Sequence, residues 1–176
     1  MGDDSGKGIV PMLYVMMYLT AVVAANLSVA TIGPSVAVIN AFLFIGLNLT
    51  ARDKLHDLWR GHGLAWRMAL LIFAGAAISF CLGAGMVAVA SFVAFAASEA
   101  VDSVSYHTMR GKRKLLQVNG SNVFAAAADS LLFPLLVFGW PLLWWLVLGQ
   151  FVAKVVGGFI WSFLLFGWRR GCVFFV

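Results

Sequence analysis

Four ionisable side chains, Glu99, Asp102, Asp129 and Lys154, stand within runs of otherwise apolar residues. A charge at the centre of a membrane-spanning helix costs about 3 kcal/mol on insertion scales, so residues of this kind bind something, relay protons or neutralise one another. Helical spacing of three and four residues gathers polar groups around them. Ser91, Phe95, Ser98, Glu99, Asp102 and Tyr106 form one stripe; Asn119, Asn122, Ala126, Asp129 and Phe133 form a second; Gln150, Lys154, Gly157 and Trp161 form a third. Asn26, Asn40 and Asn48 add amides from two earlier runs. Counted from the polar ends of their runs, Glu99, Asp129 and Lys154 each lie roughly 15–20 Å deep at 1.5 Å per residue. The pattern predicts a polar, aromatic-walled cavity inside a helix bundle, with these three at one level and Asp102 about one helical turn away.

A carboxylate there has two acceptor oxygens and matches two adjacent N–H donors on a flat heterocycle, while aromatic rings stack on its faces. Three acids against one base also leave negative charge for a proton, a cation or a ligand to offset. A plainer reading is that Lys154 neutralises one carboxylate and the asparagines tie helices together. Enzyme chemistry has no support: there is no HExxH, nucleophile elbow or Walker motif. Cys81 lies in an apolar run and Cys172 near the C-terminus, without a CxxC or a histidine cluster, so we expect neither disulfide, metal nor other cofactor. His56 and His107 read as interfacial residues, and His62 has no distinguishing context.

The elements that must position these groups follow from composition. With 62% hydrophobic and 11% charged residues and a mean hydropathy of +0.96, the chain reads as an all-α polytopic membrane protein. Its 176 residues, at roughly 20 per span, suffice for about six helices in a single transmembrane domain. The spans are expected at about 9–30, 35–50, 67–82, 86–107, 119–138 and 142–166. Gly33-Pro34, Gly83-Ala84-Gly85 and Gly139-Trp140-Pro141 supply breaks. The charged segment from Ala51 to His62 reads as a loop or helix extension at the membrane surface. The first run is too long, and lacks a clear cleavage site, for a signal peptide.

Basic residues cluster at Lys7, at Arg52, Lys54, Arg60 and Arg67, at Arg110, Lys112, Arg113 and Lys114, and at Arg169-Arg170. Six crossings put all of them on one side, which the positive-inside rule makes cytoplasmic, so both termini are expected to face the cytoplasm of a bacterial-type inner membrane. The +5 formal charge is therefore a topology signal and not a nucleic-acid surface. Trp59, Trp66, Trp140 and Trp168 fit interfacial positions, whereas Trp144, Trp145 and Trp161 are open to packing or pore-lining roles. Ala21 and Ala25 form a small-xxx-small pair. Ala100-Val101-Asp102-Ser103 echoes Ala127-Ala128-Asp129-Ser130, a faint sign of duplication.

The sequence resembles the VUT family of vitamin-uptake-like transporters, whose better-known members carry queuosine precursors. The resemblance rests on Ala25-Asn26-Leu27, Thr50-Ala51-Arg52-Asp53, Ser98 and Asp102 with Arg110, Asn119-x-Ser121 with Asp129-Ser130-x-x-Phe133, and Lys154. It implies a six-helix fold akin to the substrate-binding subunits of energy-coupling-factor transporters. It also implies a cargo such as a 7-deazaguanine, preQ0 or preQ1, or queuine. Such a purine-like base presents a ring N–H beside an exocyclic amine to Glu99 or Asp129, with Asp102, Asn119, Asn122, Lys154, Asn26 and Ser98 as further candidate contacts. Beyond solute and bilayer, protons are a candidate coupling partner. The alternative is a binding subunit that needs a separate ATPase module, with Ala21 and Ala25 as docking positions.

Overall fold

The computed structural model describes residues 5–59, 63–109, 111 and 114–166. Arg60, Gly61, His62, Arg110, Lys112, Arg113, Trp168, Arg169, Arg170 and Cys172 lie outside the described residues, as do the side chains of Lys7, Tyr106, Lys114 and Asn119. Among the described residues, six helices are long and apolar enough to cross a membrane. They are α1 (Ser5–Ile32), α2 (Pro34–Trp59), α3 (Leu64–Ala84), α4 (Met86–Thr108), α5 (Lys114–Phe138) and α6 (Trp144–Phe166). Helix is what hydrocarbon demands, because every backbone N–H and C=O must then be satisfied within its own segment. The breaks fall at the glycines read from sequence. Gly83 and Gly85 adopt φ of 102° and 52°, values that a residue with a Cβ rarely takes, and so turn α3 into α4 within a few residues.

Burial is inverted relative to a protein in water. Phe73, Leu82, Leu148 and Phe159 lie on the outside, while Asn26, Asn48, Arg52, Gln150 and Lys154 are buried. A belt of this size would be unstable against water and is at home against acyl chains. Together with six apolar helices, it makes the chain a multi-pass membrane protein. Within the bundle, α1 packs on α2, α3 and α4, α2 runs along α6, and α4 lies against α5. Tyr18, Val22, Leu55, Met68, Leu71 and Phe95 fill the core between α1, α2, α3 and α4.

Three sequence expectations change. Of the loop or helix extension expected after residue 50, the structure has the helix, which continues to Trp59, but Arg52 does not stay at the surface and turns inward, only 6% exposed. Continuing the helix satisfies the backbone in a low-dielectric setting, and an acid on α4 compensates the buried cation. Ala21 and Ala25 are buried within the chain's own bundle, so neither is a docking position for another subunit. Trp144 and Trp145 are exposed at the start of α6, where they face outward like interfacial tryptophans and line neither cavity described below.

Helix α2 is also irregular. A π-helical turn at Ala41–Ile45 follows Asn40 and precedes regular helix from Gly46. It lies where α2 crosses α6. A Cβ on Gly46 would come within 2.7 Å of the Gly157 carbonyl carbon, and one on Gly157 would strike the Phe42 carbonyl oxygen. The two backbones touch there, an approach that only glycine permits. Thr50 fastens the crossing by donating its hydroxyl to the Gly158 carbonyl at 3.4 Å.

Candidate functional site: two buried ion pairs

The buried charges form two groups. The first sits where α5 and α6 meet, because Asp129 and Lys154 lie on the inward stripes of these helices. The Lys154 ammonium lies 2.6 Å from Asp129 Oδ2 and donates to Ser130 Oγ at 3.1 Å and to Gln150 Oε1 at 3.3 Å. Gln150 is on the same face of α6, one turn before Lys154, and its Nε2 donates to none of the described residues.

The pair itself lines a small cavity of about 30 Å³, together with Asn26, Asn40, Phe95, Phe133 and Gln150 among others. Five of the six helices contribute to its wall, which makes it the polar centre of the bundle. It has room for about one water molecule. Both asparagines are already engaged: Asn26 Nδ2 donates to Ser79 Oγ at 3.1 Å, and Asn40 Nδ2 to Ser28 Oγ at 2.7 Å and to the Ala25 carbonyl at 3.3 Å.

The second group joins α2 to α4. Arg52 makes a hydrogen-bonded ion pair with Glu99 through Nη1 and Oε1, and its Nε lies 3.5 Å from Asp53. Asp102 and His56 are close by and, with Glu99, line a crevice of about 750 Å³ between α3 and α4. Tyr18, 1% exposed, stands between the two groups, hydrogen-bonded to Asn48 and within electrostatic range of Arg52, Glu99 and Asp129.

The expected single layer of Glu99, Asp129 and Lys154 is therefore divided. Asp129 and Lys154 come together, with Asn26 on the wall of their cavity. Glu99 is drawn away to Arg52, and Asp102 goes with it. Ser98 is buried but donates to its own helix at the Phe95 carbonyl, 2.9 Å away. Asn122 is half-buried, and the Asn119 side chain is outside the description. Sequence reasoning missed Arg52 because it sits in a charged segment. The missed signal was spacing, since Arg52 follows Asn48 by four residues and so shares its inward face.

The division also corrects the charge count. Asp129 and Lys154 cancel within the central group, while Arg52 offsets Glu99 in the other. What a neutral ionic centre can do chemically is offer an acceptor pair and a strong donor side by side, without net charge.

Six apolar spans around a buried, charge-balanced polar centre define a multi-pass membrane protein with ionised groups in its interior. Residues 8–167 match the model of the family described as "Putative vitamin uptake transporter", and the chain belongs to that family. No curated protein and no solved structure matches it.

Proposed function

We propose that this chain imports a small, flat, uncharged heterocycle across a bacterial cytoplasmic membrane, with both termini cytoplasmic, and that the Asp129–Lys154 centre binds it. The observation that carries this reading is the neutral pair itself. A charged solute lodged beside it would add an uncompensated charge to the membrane interior, which is costly. A solute whose edge carries adjacent N–H donors and a carbonyl can replace the pair's mutual contact. Its donors go to the Asp129 carboxylate, its carbonyl accepts from the Lys154 ammonium, and Phe95 and Phe133 flank the ring. Gln150 Nε2 supplies one more donor. The 7-deazaguanines used to make queuosine in tRNA have this lactam edge, and preQ0, which lacks the protonated amine of preQ1 and queuine, fits the neutral centre best; the family supports small-molecule uptake.

The cavity of about 30 Å³ is smaller than any such base, so binding requires the bundle to open around the pair. The cargo is tested by complementing a queuosine-salvage-deficient bacterium at limiting precursor and measuring queuosine in its tRNA. Restoration is expected; if the wild-type chain fails, the cargo assignment falls. The orientation is tested through Cys81, which is exposed beside the α3–α4 turn. In a Cys172→Ser background an impermeant maleimide should label Cys81 from outside intact cells, and labelling only after lysis would reverse the topology.

A further inference from the structure

The crevice between α3 and α4 plays no part in the central site, and its two walls differ in kind. Helix α3 contributes Leu64, Met68 and Ile72, whereas α4 contributes Glu99, Asp102 and Ser103. Phe73 and Phe92 close one end, their rings edge to face with centroids 6.4 Å apart. Beyond them the helices join at the Gly83–Gly85 turn, so the crevice widens in the opposite direction, toward His56, Leu64 and His107. Phe73 is 60% exposed on the belt that faces acyl chains, and Ala65 and Ala69 are exposed beside it. The opening is thus sideways, into lipid.

On the polar wall, Arg52 takes Glu99 but leaves demand unmet. Asp102 Oδ1 and His56 Nε2 are both buried, and neither has a hydrogen-bond partner among the described residues. A carboxyl oxygen left this way in a low-dielectric setting calls for a donor, preferably a cationic one. The ligand class follows from the two walls: positively charged N–H donors on an apolar body.

We propose that the crevice is a binding site for an aminophospholipid, with its primary ammonium on Asp102 and a chain along α3. Three observations favour a lipid over a free amine. The crevice opens into the hydrocarbon belt. Asp102 is six residues from the end of α4 at Thr108, about 9 Å at 1.5 Å per residue, which is within reach of a headgroup. Arg67, in the first turn of α3, stacks on Trp59 and Trp66 at 5.7 and 5.5 Å and holds a guanidinium at the level where a lipid phosphate lies. A choline headgroup has the charge but no N–H to donate, so the site discriminates between the two headgroups.

The test uses the full chain in detergent with mixed phosphatidylethanolamine, phosphatidylcholine and phosphatidylglycerol, followed by native mass spectrometry of the lipid retained. At least a tenfold preference for phosphatidylethanolamine over phosphatidylcholine is expected, falling below threefold in Asp102→Asn. Ala69→Trp, which fills the crevice from the exposed side of α3, is expected to abolish retention; thermal melting of both variants checks that they are folded. Equal retention of the two lipids by the wild type would overturn the proposal, as would a preference that survives both substitutions. In a parallel arm, 2-phenylethylamine is added; if it raises the melting temperature and phosphatidylethanolamine does not, the site takes free amines and the lipid assignment is wrong.

Discussion

The two buried ion pairs belong to one bundle and differ in almost everything around them. The Asp129–Lys154 pair is deeply buried. Five helices wall its cavity, and nearby α2 and α6 touch backbone to backbone at Gly46 and Gly157. The Arg52–Glu99 pair lies at the edge of a wide crevice where α3 and α4 stand apart. Close packing makes a charge depend on its partner and the few polar groups beside it, because little water can reach it. An open flank leaves room for something else to compensate it. The lesson is that two ion pairs of similar chemistry can serve different ends, and that the packing around each decides which.

The largest effect expected from this contrast is on stability. Lys154→Met strands Asp129 in a buried site and should lower stability by about 3–5 kcal/mol, seen as a lower melting temperature of the purified protein, with uptake lost. Asp129→Leu combined with Lys154→Met should recover most of the melting temperature without restoring uptake. A single variant that melts like the wild type would mean that water reaches the pair.

Affinity sharpens the comparison next. Asp129→Asn keeps the shape but removes a charge-assisted acceptor, a loss of about 1.5–3 kcal/mol, or roughly tenfold to a hundredfold in binding of a deazapurine base. Glu99→Gln should lower the melting temperature by depriving Arg52 of its partner, yet change affinity less than about threefold, within 1 kcal/mol. Equal losses at both positions, measured by equilibrium binding, would merge the two groups into one site.

The helix crossing gives the smallest effects and a matched control. Gly157→Ala puts a methyl group against the Phe42 backbone and should cost about 1–3 kcal/mol as overpacking. The next residue is different: a Cβ on Gly158 meets only Leu49, at an ordinary 4.0 Å. Gly158→Ala should therefore stay within about 0.5 kcal/mol. Similar melting temperatures for the two variants would show that α2 and α6 are not clamped beside the central pair.

The all-α class, the six apolar spans and the glycine breaks were legible from composition and run length, because the solvent sets them: hydrocarbon admits helices of about 20 apolar residues and requires their backbones to be self-satisfied. Helical phase likewise identified the faces that carry Asp129, Lys154 and Gln150. What the tertiary structure alone decided was partnership. Phase says which way a side chain points, and depth says how far in it lies, but which helix stands opposite depends on the order in which helices pack. Only that order gives Glu99 to Arg52 and Asp129 to Lys154. The inward turn of Arg52 was hidden for a related reason. A charge reads as surface until its compensating partner is known, and the partner of Arg52 lies 47 residues away on another helix.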